Sequence, residues 1–339
     1  MNNKLNVLLT GASGTIGLEV LKQLYQQRHR FNITVFDIRS KNTLKTFAFC
    51  KKNIEIVYGD ISNNYDTRKA CFDKDYVIHL AAIIPPLADE NPSYAFKVNT
   101  LGTENLIKNL EQLSPLAFLL YSSSISVYGD RLENPLINVE DPFNPSEGDE
   151  YAKTKIKAEH IIYSCNLDWS IFRLTAIMGN HKLSKLMFHM PLETSLEIAT
   201  PEDTARAFVH AIDDRFLISK KIFNLGGGYS CRTTYKEFLI RSFKILGLGD
   251  LDFPQKAFAD KNFHCGFYED SDELEKILHF RKDSIEDYFD NLIRTNPFWK
   301  KILTSIFKKQ IKKELLKNSE PFLAFNTIDT KLINHFFKI

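Results

Sequence analysis

Long apolar runs are missing from this chain of 339 residues. The stretch near the start, Leu5 to Leu9, follows a single lysine and is too short for a secretory leader or a membrane span. The expectation is a chain that begins to fold at residue 4 and works in the cytoplasm. Cysteines are few: Cys50, Cys71, Cys165, Cys231 and Cys265. The number is odd and no pair has CxxC spacing, which argues against a disulfide framework and a zinc site; no metal is expected. Scattered thiols suit a reducing compartment. Charge excess is absent too. Lysines and arginines number 44 against 42 acids, a net charge of +2, so no nucleic-acid partner is implied. Internal repeats and low-complexity linkers are also lacking.

What the chain does have is an ordinary globular composition, 44% hydrophobic and 25% charged, with enough length for a large core. Short apolar runs alternate with segments of helical period through the first half. Strands are predicted at Val7–Thr10, Asn32–Asp37, Ile54–Tyr58, Tyr76–Ala82, Leu116–Ser122 and Trp169–Leu174. Helices are predicted at Ile16–Gln27, at Pro92–Glu111 and from Asp149 to about Cys165. This alternation predicts an α/β fold, a doubly wound parallel sheet of Rossmann type, with a smaller C-terminal substrate lobe. Later segments are less regular. Glu202–Ile212, Tyr235–Leu246 and Asp270–His279 read as helices, and Ile222–Leu225 as a strand. The expected division is 1–175 for the dinucleotide domain, with a strand and helix near 201–225 returning to it, 176–295 for most of the lobe, and 296–339 for a basic C-terminal extension.

The first strand runs directly into Thr10-Gly11-Ala12-Ser13-Gly14-Thr15-Ile16-Gly17. In this GxxGxxG pattern Gly11 permits a tight turn, Gly14 lets backbone approach a pyrophosphate, and Gly17 lets the helix pack on the sheet. Free N–H groups and the helix dipole then face an anion. Ser13, Thr15 and Ile16 complete the candidate cradle. Asp37 ends the second strand, twenty residues past Gly17. A carboxylate there accepts from ribose hydroxyls and repels a 2′-phosphate, so NAD is expected in preference to NADP, with Ile38 beside it. Arg39 complicates that preference, because an arginine nearby can pair with the 2′-phosphate; its alternative is a solvated loop charge.

Tyr151 and Lys155 are four apart and share one helix face. An ammonium near the phenol should lower the tyrosine pKa, so that it can take a proton from a carbinol as hydride leaves. Lys153 faces away. Serines 122 to 124 end a parallel strand where such sheets bind ligands, and one hydroxyl there can bond the reacting oxygen. For Ser122 and Ser126 the preferred reading is plainer, as parts of a serine-rich turn.

Taken in order, the TGxxGxxG turn, Asp37, Gly59-Asp60, His79-Leu80-Ala81-Ala82, Val98-Asn99, the serine run with Val127-Tyr128-Gly129, and Tyr151/Lys155 resemble the extended short-chain dehydrogenase/reductases of the NAD-dependent epimerase/dehydratase type. The resemblance spans residues 4 to about 293. It implies that Asp60, with Ile61 beside it, contacts adenine, and that Leu80, Ala81 and Ala82 line the dinucleotide. It implies further that Asn99 braces the site, that Ser124 is the partner of the catalytic Tyr151, and that Lys155 also holds the nicotinamide ribose. Thr175 falls where that family's chain passes the nicotinamide, and Ser122 is a further candidate cofactor contact.

The chain departs from that family in two places. Ser124 is followed by Ile125-Ser126, with no acidic pair, which argues against a dehydratase. Residues 180–200 contain no arginine, where nucleotide-sugar enzymes place one for the diphosphate; Leu196 holds its expected position. Lys182, Lys185 or Arg232 could substitute, or be surface charge. Leu183, Leu186, Met187, Phe188, Met190 and Leu192 form either lobe core, the preferred reading, or an apolar substrate wall. His181, His189 and His264 form no recognisable ligand set.

Pro297 to Lys317 combines a wide apolar stripe with seven lysines. It can dock on its own lobe, join subunits in a possible homodimer, or lie weakly on an anionic membrane surface. Three functions compete. The first is an NAD-dependent epimerase or oxidoreductase, with nucleotide-sugars as first-choice substrates. The second is a reductase or dehydrogenase of a smaller or more apolar carbonyl compound. The third is a non-catalytic dinucleotide sensor or scaffold, against which the intact Ser124, Tyr151 and Lys155 argue.

Overall fold

The computed structural model describes residues 4–179 and 183–338. His181 and Lys182 therefore lie outside the described residues.

Seven strands make one parallel sheet: β1 (Leu5–Thr10), β2 (Phe31–Asp37), β3 (Glu55–Tyr58), β4 (Tyr76–His79), β5 (Phe118–Ser124), β7 (Asp168–Leu174) and β10 (Lys221–Leu225), with β6 (Leu136–Ile137), β8 (Ala176–Ile177) and β9 (Ser195–Ala199) lying outside it. The order across the sheet is β10-β7-β5-β4-β1-β2-β3. Strand order reverses between β1 and β4, which opens a crevice at their carboxyl ends, the place where such sheets bind ligands. Apolar side chains cover both faces, as a parallel sheet requires. On one face Val20, Leu21 and Leu24 of helix Thr15–Gln26 meet Ala205 and Phe208 of helix Pro201–His210. On the other, Leu106 and Leu110 of helix Gly102–Leu113 meet Ala158 and Ile162 of helix Glu150–Tyr163.

Two expected boundaries move for local reasons. The predicted helix Pro92–Glu111 is a rod of three pieces, Pro92–Ala95, a π turn at Phe96–Leu101 and Gly102–Leu113. Such π turns recur at functional sites, and this one carries Asn99. The serine run is strand rather than turn. Ser122, Ser123 and Ser124 pair in register with Phe172, Arg173 and Leu174, which overturns the turn reading for Ser122. Ser126 alone sits in a short helical turn, Ile125–Tyr128.

The lobe has its own core of Phe188, Leu196, Phe238, Phe243 and Phe289. It is framed by β8, β9 and β11 (Arg232–Thr234), and by β6 pairing with β12 (Phe267–Tyr268). Met187, Phe188 and Met190 are buried in that core, with Leu183 and Leu192 packed at its edge. These side chains are core and not a substrate wall.

Beyond residue 297 come three helices, Phe298–Lys317, Glu320–Thr327 and Thr330–Phe336. The last two return to the lobe. Ser319 Oγ donates to the Ala257 carbonyl at 2.7 Å, and Phe336 and Phe337 are buried against Ala259. Each buried phenylalanine is worth about 2 kcal/mol in apolar surface removed from water.

Candidate active site

The turn after β1 shows why its glycines are glycines. Gly11 sits at φ +71°, and a Cβ there would meet the Ala81 nitrogen at 2.6 Å. A Cβ on Gly17 would lie 2.1 Å from the Gly11 carbonyl oxygen. Gly14 is the N-cap of helix Thr15–Gln26, without a side-chain cap and with no acid in the first turn. Ser13, Thr15 and Ile16 surround that open helix end, whose N–H groups and dipole face outward. This cradle fits a pyrophosphate. A cavity of about 930 Å³ opens here, lined by Ser13, Gly14, Thr15, Met178 and Pro201 among others. Ser124, Tyr151 and Lys155 do not line it, so it is the flank of the turn and not the reaction centre.

Asp37 ends β2 beside the turn. Its carboxylate accepts from the Ser13 N–H and the Ile38 N–H, both at 2.8 Å. Burial raises its pKa, and those two N–H groups oppose the rise. Arg39 and Ile38 are exposed next to it. Asp60 is exposed and accepts from both the backbone and hydroxyl of Ser62, at 2.9 and 2.8 Å. Ile61 is buried against Gly102. Leu80, Ala81 and Ala82 follow β4 at the crevice. Thr175 is also at this sheet edge, but its hydroxyl donates to the Glu197 carbonyl at 2.7 Å.

Tyr151 and Lys155 lie one turn apart on helix Glu150–Tyr163, against the end of β5. The Ser124 hydroxyl stands close enough to the Tyr151 phenol to favour its ionised form. Lys155 is buried; its Nζ donates to the Ser122 carbonyl at 2.7 Å and stands 5.7 Å from the Tyr151 ring centroid. One expectation fails here. Burial raises the Tyr151 pKa well above its ordinary value, and the group that opposes the rise is the Ser124 hydroxyl rather than the lysine. Lys155 itself is pushed down to about 7 by burial, with Glu159 opposing. A lysine whose charged form is disfavoured by burial supports a phenolate less than an exposed ammonium would.

A chain of hydrogen bonds connects the phosphate turn to the tyrosine. Thr10 Oγ1 accepts from the Ala81 N–H at 3.2 Å and meets His79 Nδ1 at 2.7 Å. His79 Nε2 meets Thr103 Oγ1 at 2.9 Å, and Thr103 donates to the Asn99 carbonyl at 2.7 Å. Since Thr103 has one proton and gives it to a carbonyl, the histidine proton is assigned to Nε2. Burial and then the Lys155 charge push His79 down to about 3, so the ring is neutral. Asn99 grips both the N–H and carbonyl of Ile83, at 2.7 and 2.9 Å, and donates to Thr154 at 2.9 Å. Thr154 donates to the Tyr151 carbonyl at 2.7 Å. Asn99 thus fixes the helix that presents Tyr151.

Behind the serines lies a buried pair that sequence reasoning missed. Arg173 makes two bonds to Glu159, at 3.1 and 2.8 Å, and a third to the Tyr128 hydroxyl at 2.8 Å. Ser123 donates to the same Glu159 carboxylate. The available signal was Glu159 lying four residues past Lys155, on the buried face.

The rim on the lobe side was also missed. Lys185 bridges Glu90 at 3.0 Å and Glu320 at 3.1 Å, while His189 lies 3.0 Å from Glu320. His264 lies 2.9 Å from Asp149, the N-cap of the Tyr151 helix. Asp89 stands at this rim, open to solvent yet crowded. Partial burial and then Asp149 push its carboxyl up to about 6, opposed by His264, His189 and Lys185. Arg232, a candidate for a diphosphate, is bound to buried Glu197 at 3.0 Å and to the Tyr268 carbonyl at 2.5 Å. Leu196 is buried in the lobe core. Among the described residues, no group of three or more His, Cys, Asp or Glu could hold a metal ion.

A model of the 3-beta hydroxysteroid dehydrogenase/isomerase family matches residues 8–173. Among curated proteins, the chain is 31% identical over 167 residues to a decarboxylating sterol-4-alpha-carboxylate 3-dehydrogenase of Candida albicans, covering 48% of this chain and 46% of that one. It is 26% identical over 254 residues to the D-erythronate dehydrogenase of Cupriavidus necator, covering 66% and 77%. The chain spans about half the length of the first of these relatives. Among solved structures, a dTDP-glucose 4,6-dehydratase of Streptomyces venezuelae superposes with a TM-score of 0.72 at 20% identity, over 86% of this chain and 96% of that one. A UDP-glucose 4-epimerase of Bifidobacterium longum gives 0.67 at 18%, over 85% and 97%. At such identities these likenesses are of fold. Fold and family model agree with the order of motifs along the nucleotide half: over residues 8–173 the chain is similar to the 3-beta hydroxysteroid dehydrogenase/isomerase family, and over most of its length it shares the fold of the solved epimerase and dehydratase structures.

Proposed function

We propose that this chain is an NAD-dependent epimerase or oxidoreductase that moves hydride at a carbinol or ketone carbon of a small molecule, with nucleotide-sugars as the first substrate class. The observation that carries it is the Ser124–Tyr151–Lys155 set beside an uncapped, glycine-shaped helix end. NAD, when bound, supplies a hydride acceptor at its nicotinamide ring. Gly11, Ser13, Gly14, Thr15, Ile16 and Gly17 would hold its pyrophosphate. Asp37, with Ile38 and Arg39, would hold the adenosine ribose and favour NAD over NADP. Asp60 and Ile61 would flank adenine, and Leu80 to Ala82, Ser122 and Thr175 the remaining length. Lys155 would hold the nicotinamide ribose. Ser124 and Tyr151 would bond the reacting oxygen, and Tyr151 would take or return its proton. Asn99 positions Tyr151 through Thr154. Because burial raises the phenol pKa, Tyr151 would lose its proton more readily with the positive charge of an oxidised nicotinamide held beside it.

Neighbours named as nucleotide-sugar epimerases and dehydratases support the substrate class. A second reading, a smaller or more apolar carbonyl substrate, is favoured by the rim. Arg232 is committed to Glu197 and Lys185 to Glu90 and Glu320, so both cations are already paired with carboxylates. The sterol and steroid dehydrogenases matched by sequence point the same way. The division into 1–175, 176–295 and 296–339, a cytoplasmic location and a homodimer remain part of the proposal. Screening nucleotide-sugars against simple and sterol-like ketones, by nicotinamide absorbance, tests it. Failure of all of them to change that absorbance in NAD-loaded protein would overturn the enzymatic reading.

A further inference from the structure

Helix Phe298–Lys317 is the one long helix of the described residues with no buried residue. Its contacts with the body are confined to one side. A Cβ on Gly247 would strike the Lys301 carbonyl oxygen, Ser305 Oγ donates to the Gly247 carbonyl at 3.0 Å, and Lys312 Nζ reaches the Asp250 carbonyl at 2.5 Å and the Asp252 carboxylate. Ile311 and Leu315 pack at the edge of the lobe core. At roughly 100° per residue these positions share one half of the helix circumference.

Trp299, Ile302, Leu303, Ile306 and Phe307 fall on the opposite half, while Phe298 stands at the edge of the docking side. All six are exposed, Phe298 at 76%, Ile306 at 65% and Trp299 at 63%. Most of the apolar stripe therefore faces away from the lobe over the first three turns. Further along, Lys309, Lys313 and Lys317 take the outward side, and all three are exposed. Only Lys317 has an acidic partner, Glu314 at 2.7 Å. The outward surface is thus an aromatic-rich apolar patch running into a basic one. No described helix is long and apolar enough to cross a membrane.

We propose that this outward face docks the protein on an anionic membrane surface. Aromatic and aliphatic side chains enter the headgroup–acyl boundary, and lysines beside them attract acidic headgroups. A second copy of the chain fits less well. Two-fold pairing with the helices antiparallel lays Lys309, Lys313 and Lys317 on the partner's apolar patch and desolvates them. Parallel pairing sets lysines against lysines. The basis is independent of the chemistry at Tyr151.

The test uses the full chain carrying Trp169→Phe, which leaves Trp299 as its one tryptophan. Vesicles of phosphatidylcholine with phosphatidylserine should sediment the protein and shift Trp299 emission to the blue. Phosphatidylcholine alone should do neither at the same lipid concentration, and added salt should release the protein. In the Trp169→Phe background, Lys309→Glu with Lys313→Glu and Lys317→Glu should weaken binding at least about tenfold. In the tryptophan-containing chain, Trp299→Ser with Phe307→Ser should abolish sedimentation while thermal unfolding is unchanged, since neither side chain is buried. Equal binding to both vesicle types, or no binding to either, overturns the proposal. So does a blue shift without vesicles that grows with protein concentration, which would assign the face to self-association.

Discussion

The nucleotide side and the substrate rim of this molecule are built in opposite ways. On the nucleotide side, Gly11 to Gly17 and Asp37 come from two adjacent strands and the turn between strand and helix, within twenty-seven residues of chain. Backbone groups do most of the positioning, and Gly11 and Gly17 are enforced by contacts of 2.6 and 2.1 Å to a hypothetical Cβ. At the rim, Glu90, Lys185, His189 and Glu320 come from segments up to 230 residues apart, and long charged side chains do the positioning. A site made of backbone tolerates few substitutions. One made of part-exposed ion pairs can change partners at small energetic cost.

The largest expected effect tests the reaction centre between the two regions. Tyr151→Phe should leave NAD binding nearly intact and lower turnover at least ~10²-fold, the range for removing a positioned acid/base. Ser124→Ala should cost less, because neighbouring donors partly replace a hydroxyl. Steady-state kinetics on any working substrate, with cofactor titration alongside, checks both. Full activity in Tyr151→Phe would place the base elsewhere.

Lys155→Met should lower both turnover and NAD affinity, and it carries a pH signature. Lys155 has a pKa of about 7 when folded, against an ordinary 10.5. Between those values the unfolded chain binds more protons, so the native protein should gain stability as pH rises from about 7 towards 10.5. That gain is lost as pH falls back through the window. Thermal melts across it should show a shallower rise in Lys155→Met than in the native protein; parallel profiles would mean that Lys155 stays charged.

Next comes the nucleotide side itself. Asp37→Ala should weaken NAD by roughly 10-fold or more, the scale of hydrogen bonds to a charged group, and relax the preference over NADP. Tighter binding of NADP than NAD by the native chain would break the contrast, by making exposed Arg39 the determinant. Smallest is the rim: Glu320→Gln should lower thermal stability by no more than a few degrees, because its partners are part-exposed. If the substrate is anionic, freeing Lys185 should lower KM a few-fold with kcat unchanged. A loss of turnover as large as that of Tyr151→Phe would show that the tail helices are part of the reaction centre.

The tail also sharpens what local pattern can and cannot tell. The helical period of 298–317 was plain in the sequence, and so were the seven lysines, but not the side on which the helix docks. Docking is decided by Gly247, Asp250 and Asp252, which accept Ser305 and Lys312 from the lysine-bearing flank. Hydrophobic periodicity fixes a stripe and leaves its direction open when a charged flank finds carbonyls and carboxylates to meet.

By itself the sequence determined whatever depends on short-range backbone geometry: the strand–turn–helix at Gly11–Gly17, the acid at the end of β2, the one-turn spacing of Tyr151 and Lys155, and the parallel α/β sheet. Only the tertiary structure decided the electrostatics. Burial raised Tyr151 and lowered Lys155, opposite to what an exposed pair would show, because desolvation depends on every atom packed around a group and not on its neighbours in sequence. The same holds for Glu159 beneath Ser123, for Arg232 bound to Glu197, and for Glu320 returning to Lys185. Those contacts exist because packing brought distant segments within a few ångströms, and charge was then paired wherever water had been removed.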